Sequence, residues 1–346
     1  MKRMSNFELL RIISMLMVIT GHLVLAANQL DDMVSVDFYL LNLIQSFTTV
    51  AVNVFILISG YFGIKLKIFK LAQLDLRIII YTYVLFAVSV LIGIHTINLK
   101  KDFLFLFPVI TKQYWFITIY FVLCLLSPFL NWFLSRQTKR NLKVFLLLGF
   151  ILFYVVATGA FLTNANQIVE DAGRGIINFI FLYSLGFYLR NHYRDTISSS
   201  VKYFGLFLAS VLANYLVNIG MTKVFGFYFN SLVSNNTVFV LLGAVFLFLT
   251  FKNIKINYFR SINFIASKTF AVYIIHTFPL LQGSIYFDVF KVQNYSGIML
   301  YVIIFAATIA IYAVCFGIDW ILDFVVKPIE RLLERVMIKK EIKLDD

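Results

Sequence analysis

Apolar residues run along this chain in long blocks, separated by short polar stretches that hold most of the charge. Ten blocks stand out, near residues 7–27, 38–62, 77–95, 114–134, 143–163, 175–190, 201–219, 236–251, 266–287 and 297–326. A helix of ~20 apolar residues covers a ~30 Å hydrocarbon core. A surface helix of a soluble domain would instead show one apolar stripe and one polar face. The blocks predict an all-α, polytopic integral membrane protein with about ten transmembrane helices. The sixth block is short, and the apolar segment 103–110 falls in a loop. After Pro328 the tail IERLLERVMIKKEIKLDD alternates Leu with charge. It reads as a short amphipathic helix lying on the inner surface. The chain thus divides into a membrane domain, residues 1–328, and a charged cytoplasmic tail, residues 329–346.

Composition agrees. Hydrophobic residues make up 61% of the chain and charged residues 14%, too little polar surface for a soluble domain of 346 residues. The basic residues sort by loop. Placing the termini inside puts 23 Lys and Arg on the cytoplasmic side and 6 outside, with Arg11 within the first span. Both termini are therefore expected in the cytoplasm. This asymmetry accounts for the net charge of +13 through topology and anionic membrane lipids, with no role for nucleic acid. Lys2 and Arg3 before an apolar run imitate a secretory signal. Glu8 and Arg11 sit where such a signal must be apolar, so the first block reads as a retained span. Cys124 and Cys315 lie inside predicted spans and suit packing, and the chain has no zinc-ligand spacing.

Charge inside the first block is the main chemical signal, because ionisable groups in a spanning helix are costly and mark working sites. Arg11 and His22 are eleven helical steps apart, about 1100°, which is three turns plus about 20°. They share one face, about 16 Å apart along the axis. With 11 Arg and 4 His in the chain, about 0.13 such pairs are expected by chance. Arg11 could equally snorkel to the headgroups while His22 sits satisfied between helices. Glu8, three residues before Arg11, can pair with it, but lies about 21 Å from His22.

Other polar residues fall inside or beside the blocks. His276 lies about ten residues into the ninth, which runs in the direction of the first, so its depth should match that of His22; Tyr273 shares its face. Asn53 is in the second block, which closes on Ser59-Gly60, where a glycine allows helix packing or a ligand's passage. Trp115, with Tyr114 and Tyr120, resembles an interfacial aromatic belt. Asp319 and Asp323 near the end of the last block are expected to pair with basic residues. His95 and His192 read as solvated. Asp31–Asp32 and Glu170–Asp171 are paired carboxylates of the outer loops.

These segments also resemble a known family. FELLRIISMLMVITGHL, with Arg11, ten residues and His22, is similar to the first span of the membrane acyltransferase 3 family, bacterial polysaccharide O-acetyltransferase type. VNVFILISGYF (52–62), YWFITIYFVLCLLSPFLN (114–131), FIFLYSLGFYLR (179–190) and INFIASKTFAVYIIHTFPLL (262–281) resemble later spans in the family's order, from about Asn6 to about Pro328. Many members carry a second Arg three residues before the position of Arg77, where Leu74 stands here.

The resemblance implies a multi-pass protein of the bacterial cytoplasmic membrane. It implies an enzyme that takes an acyl group, most often acetyl, from cytoplasmic acyl-CoA. The acceptor is a hydroxyl of an envelope polysaccharide or lipid-linked glycan. Acetyl-CoA is then a donor substrate, and no cofactor is bound permanently. His22 would be general base or covalent acyl carrier, with Arg11 beside the donor. Glu8, Ser59, Arg77, Trp115, Tyr273 and His276 would line the substrates' path, with Arg77 meeting the nucleotide. The competing reading is a secondary transporter or lipid-linked glycan flippase. Such proteins show related halves and broken helices near the midplane, and neither related halves nor Pro-interrupted spans are evident in the sequence.

Overall fold

A computed structural model describes residues 3–27, 35–163, 171–194, 199–226 and 234–344, and the side chains of these up to Met337. Every regular element among them is helical: α1 (Ser5–Ala27), α2 (Val36–Thr48), α3 (Ala51–Phe62), α4 (Ile68–Leu91), α5 (Leu99–Asp102), α6 (Trp115–Arg136), α7 (Lys139–Phe150), α8 (Val156–Thr163), α9 (Ile176–Asn191), α10 (Ser200–Phe225), α11 (Val238–Asn253), α12 (Arg260–Ala266), α13 (Thr269–His276), α14 (Pro279–Ser284) and α15 (Gly297–Leu344). Hydroxyl side chains start several of them. Ser35, Thr138 and Thr237 each accept a hydrogen bond from the backbone N–H three residues on.

Among the described residues, seven helical stretches are long and apolar enough to cross a bilayer: Ser5–Ala27, Val36–Phe62, Ile68–Leu91, Trp115–Arg136, Lys139–Thr163, Ser200–Phe225 and Gly297–Met337. Counting a bent pair, Arg260–His276 with Pro279–Asn294, makes eight. The expected count of about ten is reduced at two places. The sixth and eighth blocks form α9 and α11, of 16 residues each. At 1.5 Å per residue each is about 24 Å long, short of a ~30 Å core. Both pack within the bundle, α9 on α3 and α6, and α11 on α10 and α3. A helix shielded by other helices need not match the bilayer's thickness.

The ninth block departs from expectation more sharply. It is broken between α13 and α14 by a bend of 82°, with Pro279 at the start of α14. Proline has no N–H to continue the ladder and disfavours helical geometry in the residue before it. Phe278 is accordingly extended, at φ −61° and ψ 120°. A Pro-interrupted span is therefore present. The tail also differs, because α15 runs unbroken through Pro328 to Leu344 as one 48-residue helix. Gln73 Nε2 of α4 donates to the carbonyl of Glu330 beyond that proline, at 2.9 Å.

α1 is the hub. It packs against α2, α3, α11, α12, α13 and α15, and it divides the core in two. Phe7 and Leu10 join a cluster built from α3, α6, α9, α10 and α11. Met15, Ile19, Leu23 and Val24 join a second, built from α4, α13 and α15. Lipid tails are as apolar as leucine, so helices in a membrane associate through close packing and polar contacts. Gly186 is one such contact: a methyl there would come 2.5 Å from the carbonyl oxygen of Leu57. A methyl at Gly60 would overlap the backbone of Tyr183. The second-block Gly60 is thus a packing residue for α9. Asn53 adds a polar tie, donating to the Asn235 carbonyl at 2.8 Å.

Candidate active site

Along α1, Arg11, Met15, Val18 and His22 follow at steps of four, three and four, which places them on one face. That face lines a cavity of roughly 290 Å³. Opposite stand Val52, Phe55 and Ser59 of α3, Trp115, Phe116 and Tyr120 of α6, and Thr269, Phe270 and Tyr273 of α13. The wall is largely aromatic. Phe116 stacks on Tyr120 at 6.0 Å between centroids and meets Tyr273 at 5.6 Å. The Arg174 guanidinium lies 5.7 Å from the centre of the Trp115 ring.

Charge gathers near the N-terminal end of α1. Arg11 donates to Glu8 at 2.7 Å, and Arg3 lies 3.8 Å from the other carboxylate oxygen. Glu8 is buried, at 6% side-chain exposure, whereas Arg11 keeps 31%. Two arginines on the cavity share this one carboxylate, so its mouth there carries net positive charge. The imidazole of His22 lies further along. Its Nδ1 is 3.4 Å from Gln282 Nε2, and its ring centre is 5.4 Å from that of His276. His276 is fully buried and uses Nδ1–H on the Val272 carbonyl at 2.6 Å. Its Nε2 is buried without a hydrogen-bond partner among the described residues.

Of the residues singled out in the sequence, Arg11, His22, Ser59, Trp115 and Tyr273 all line the cavity. Glu8 stands behind Arg11, and His276 stands behind His22. Tyr120, resembling a belt residue in the sequence, lines the cavity 3.5 Å from the Ser59 hydroxyl. Asp31, Asp32 and Glu170 lie outside the described residues. Arg174 and Gln282 carried no signal of their own, since each reaches the site from a distant part of the chain, and Arg3 stood out only as a charge ahead of the first block.

Arg77 is placed apart from this cavity. It makes a bidentate pair with Glu330, at 2.8 and 3.1 Å, and reaches Asp319 at 3.3 Å and Asp323 at 3.1 Å. Lys268 also pairs with Asp319, at 2.5 Å, and with Asp323. Lys327 reaches Asp323 at 2.7 Å, and the Tyr81 hydroxyl donates to Asp319. The two aspartates are thus paired with basic residues, and Arg77 is engaged by three carboxylates rather than open to a phosphate. This network ties α4, the residue that precedes α13, and α15 together at one end of the bundle. Among the described residues no group of three or more His, Cys, Asp or Glu side chains is arranged to hold a metal ion.

Apolar spanning helices, a central helix bearing buried charge, and an arginine and a histidine on one internal cavity define a multi-pass membrane protein with a polar site inside the bundle. The chain belongs to the acyltransferase 3 family, whose model, an acyltransferase domain, matches residues 4–317. The protein is a membrane acyltransferase on that ground. No curated protein and no solved structure gives a significant match.

Proposed function

We propose that this membrane acyltransferase moves an acetyl group from acyl-CoA, entering from the cytoplasm, to a hydroxyl of an envelope polysaccharide or lipid-linked glycan in a bacterial cytoplasmic membrane. The observation that carries the reading is the single cavity shared by Arg11 and His22 in a chain of this family. Its positive mouth, at Arg3 and Arg11, suits a polyanionic donor with a long thin arm. The arm would follow the face of α1 to His22, where the aromatic wall keeps water from the thioester.

His22 then takes the proton of the acceptor hydroxyl as the oxygen attacks the thioester carbon. The C–O bond forms, the C–S bond breaks, and the proton passes to the departing thiolate, which leaves as the free thiol. General base catalysis of this kind contributes ~10²–10⁴-fold. In an alternative course the imidazole itself accepts the acetyl group before passing it on. The purified protein should hydrolyse acetyl-CoA slowly or transfer its acetyl group to a glycan, and His22→Ala should do neither. A broken span is also found in secondary transporters, and the 82° bend gives that second reading its one support. A transporter or flippase would leave acetyl-CoA untouched.

A further inference from the structure

The break in the ninth block brings two polar side chains onto one imidazole. In an unbroken helix residues 276 and 282 would be six steps apart, about 120° around the axis and ~9 Å along it. Only one of them could then face a given point on α1. α13 ends at His276, the chain turns by 82°, and Gln282 in α14 comes back to 3.4 Å from His22 Nδ1. The same amide nitrogen lies 3.3 Å from the Tyr286 hydroxyl.

We propose that Gln282 is a positioning residue that fixes the tautomer of His22, an inference that rests on reading His22 as the proton acceptor. A neutral imidazole that works as a base through Nε2 must keep its ring proton on Nδ1. Nδ1 is the nitrogen Gln282 holds. As placed, the amide nitrogen donates to Nδ1 and to Tyr286; a half-turn of the carboxamide, whose two ends are nearly equal in size, brings Oε1 there instead. From there Oε1 accepts both the His22 Nδ1–H and the Tyr286 O–H. Nε2 of His22 is then left with its lone pair for the acceptor's proton, and Nδ1–H stays on Gln282 throughout. His276 cannot take over this task. Its own N–H is used on Val272, and although its Nε2 keeps a lone pair, no hydrogen bond joins the two rings, whose centres are 5.4 Å apart. The bend is what makes the arrangement possible, because it lets α13 and α14 approach the same ring from two directions.

The test uses the full-length protein in nanodiscs, labelled with ¹⁵N-histidine, with the His22 signals assigned from a His22→Asn variant. Wild type should show His22 as the Nδ1–H tautomer, and Gln282→Leu should shift it toward Nε2–H. Gln282→Leu should lower kcat for acetyl transfer or acetyl-CoA hydrolysis by about 10²-fold or more, with KM for acetyl-CoA changed less than about threefold. Gln282→Glu keeps the shape and the accepting oxygens, and should recover at least about a tenth of wild-type kcat, which also excludes misfolding as the cause of the loss. The proposal is overturned if Gln282→Leu leaves both tautomer and kcat unchanged. It is equally overturned if wild-type His22 carries its proton on Nε2 and Gln282→Glu is as inactive as Gln282→Leu. A wild-type protein inert toward acetyl-CoA would sink the base reading instead, and the tautomer measurement would still decide the role of Gln282.

Discussion

Replacing Arg77 by alanine separates a structural role from a donor-binding one. Arg77, Lys268 and Lys327 face Asp319, Asp323 and Glu330, three charges against three. Asp319 is fully buried, Asp323 is 6% exposed, and Arg77 and Glu330 are each 18% exposed. Removing one partner from a buried ion pair leaves an uncompensated charge, at a cost of about 3–5 kcal/mol. The partial exposure of Arg77 and Glu330 puts the expected loss at the lower end, about 3 kcal/mol, or roughly 150-fold in the folded-to-unfolded ratio. Neutralising Glu330 at the same time restores the balance. Arg77→Ala with Glu330→Gln should therefore cost less than the sum of the single changes by about 1–3 kcal/mol. The assay is SDS titration in mixed micelles followed by tryptophan fluorescence, paired with KM for acetyl-CoA on the folded fraction. Large instability, a clear coupling energy and a KM within about twofold of wild type are expected. An Arg77→Ala protein as stable as wild type, with KM raised tenfold or more, would refute the structural role and return Arg77 to the donor's phosphates.

Further changes test other parts of the molecule. Gly60→Val should abolish folded protein in fluorescence-detected size exclusion, because the new side chain meets the Tyr183 backbone; Gly159→Ala, which points into open space, should be neutral. Glu8→Ala frees Arg11 from its 2.7 Å anchor and should lower kcat/KM about tenfold in an acetyl-transfer assay, with Glu8→Asp partly active. In the loop after α4, burial raises the Asp102 carboxyl, but the Asn98 N–H and His95 outweigh it and hold it below the ordinary carboxylate range. A depressed carboxyl stabilises the loop above the unfolded value of about 4 and loses that contribution as pH falls further. Hydrogen-exchange protection at residues 98–102, relative to the intrinsic amide rate, should accordingly fall below about pH 4, and Asp102→Asn should lower it already at pH 7.

The shared face of Arg11 and His22 was legible because helical period alone sets which residues share a face, and α1 is a regular 23-residue helix. That Asp319 and Asp323 needed cationic partners was legible too, from the cost of burying charge. Which cations answer them was not, since Arg77 and Lys268 come from helices far away in sequence. Hydropathy reads composition and not curvature, so the ninth block passed as one straight span although Pro279 stood within it. The same blindness counted α9 and α11 among the spans, the sixth block's shortness notwithstanding, because their neighbours and not their own residues excuse their short length. Gln282 was invisible in the sequence for a related reason: a polar residue past a bend has no periodic relation to the helix it serves.

O-acetylation of a surface glycan through His22 is the reaction proposed for this chain. Proton NMR of the O-acetyl signals of the cell's surface polysaccharide measures it directly, in cells with the wild-type gene, with His22→Ala expressed equally in the membrane, and with no gene. The signals should vanish in both the deletion and His22→Ala. Signals unchanged in both, with glycan amount or precursor export reduced, would contradict the proposal in favour of a transporter, and signals kept in His22→Ala but lost in the deletion would show that His22 is not the residue that does the chemistry.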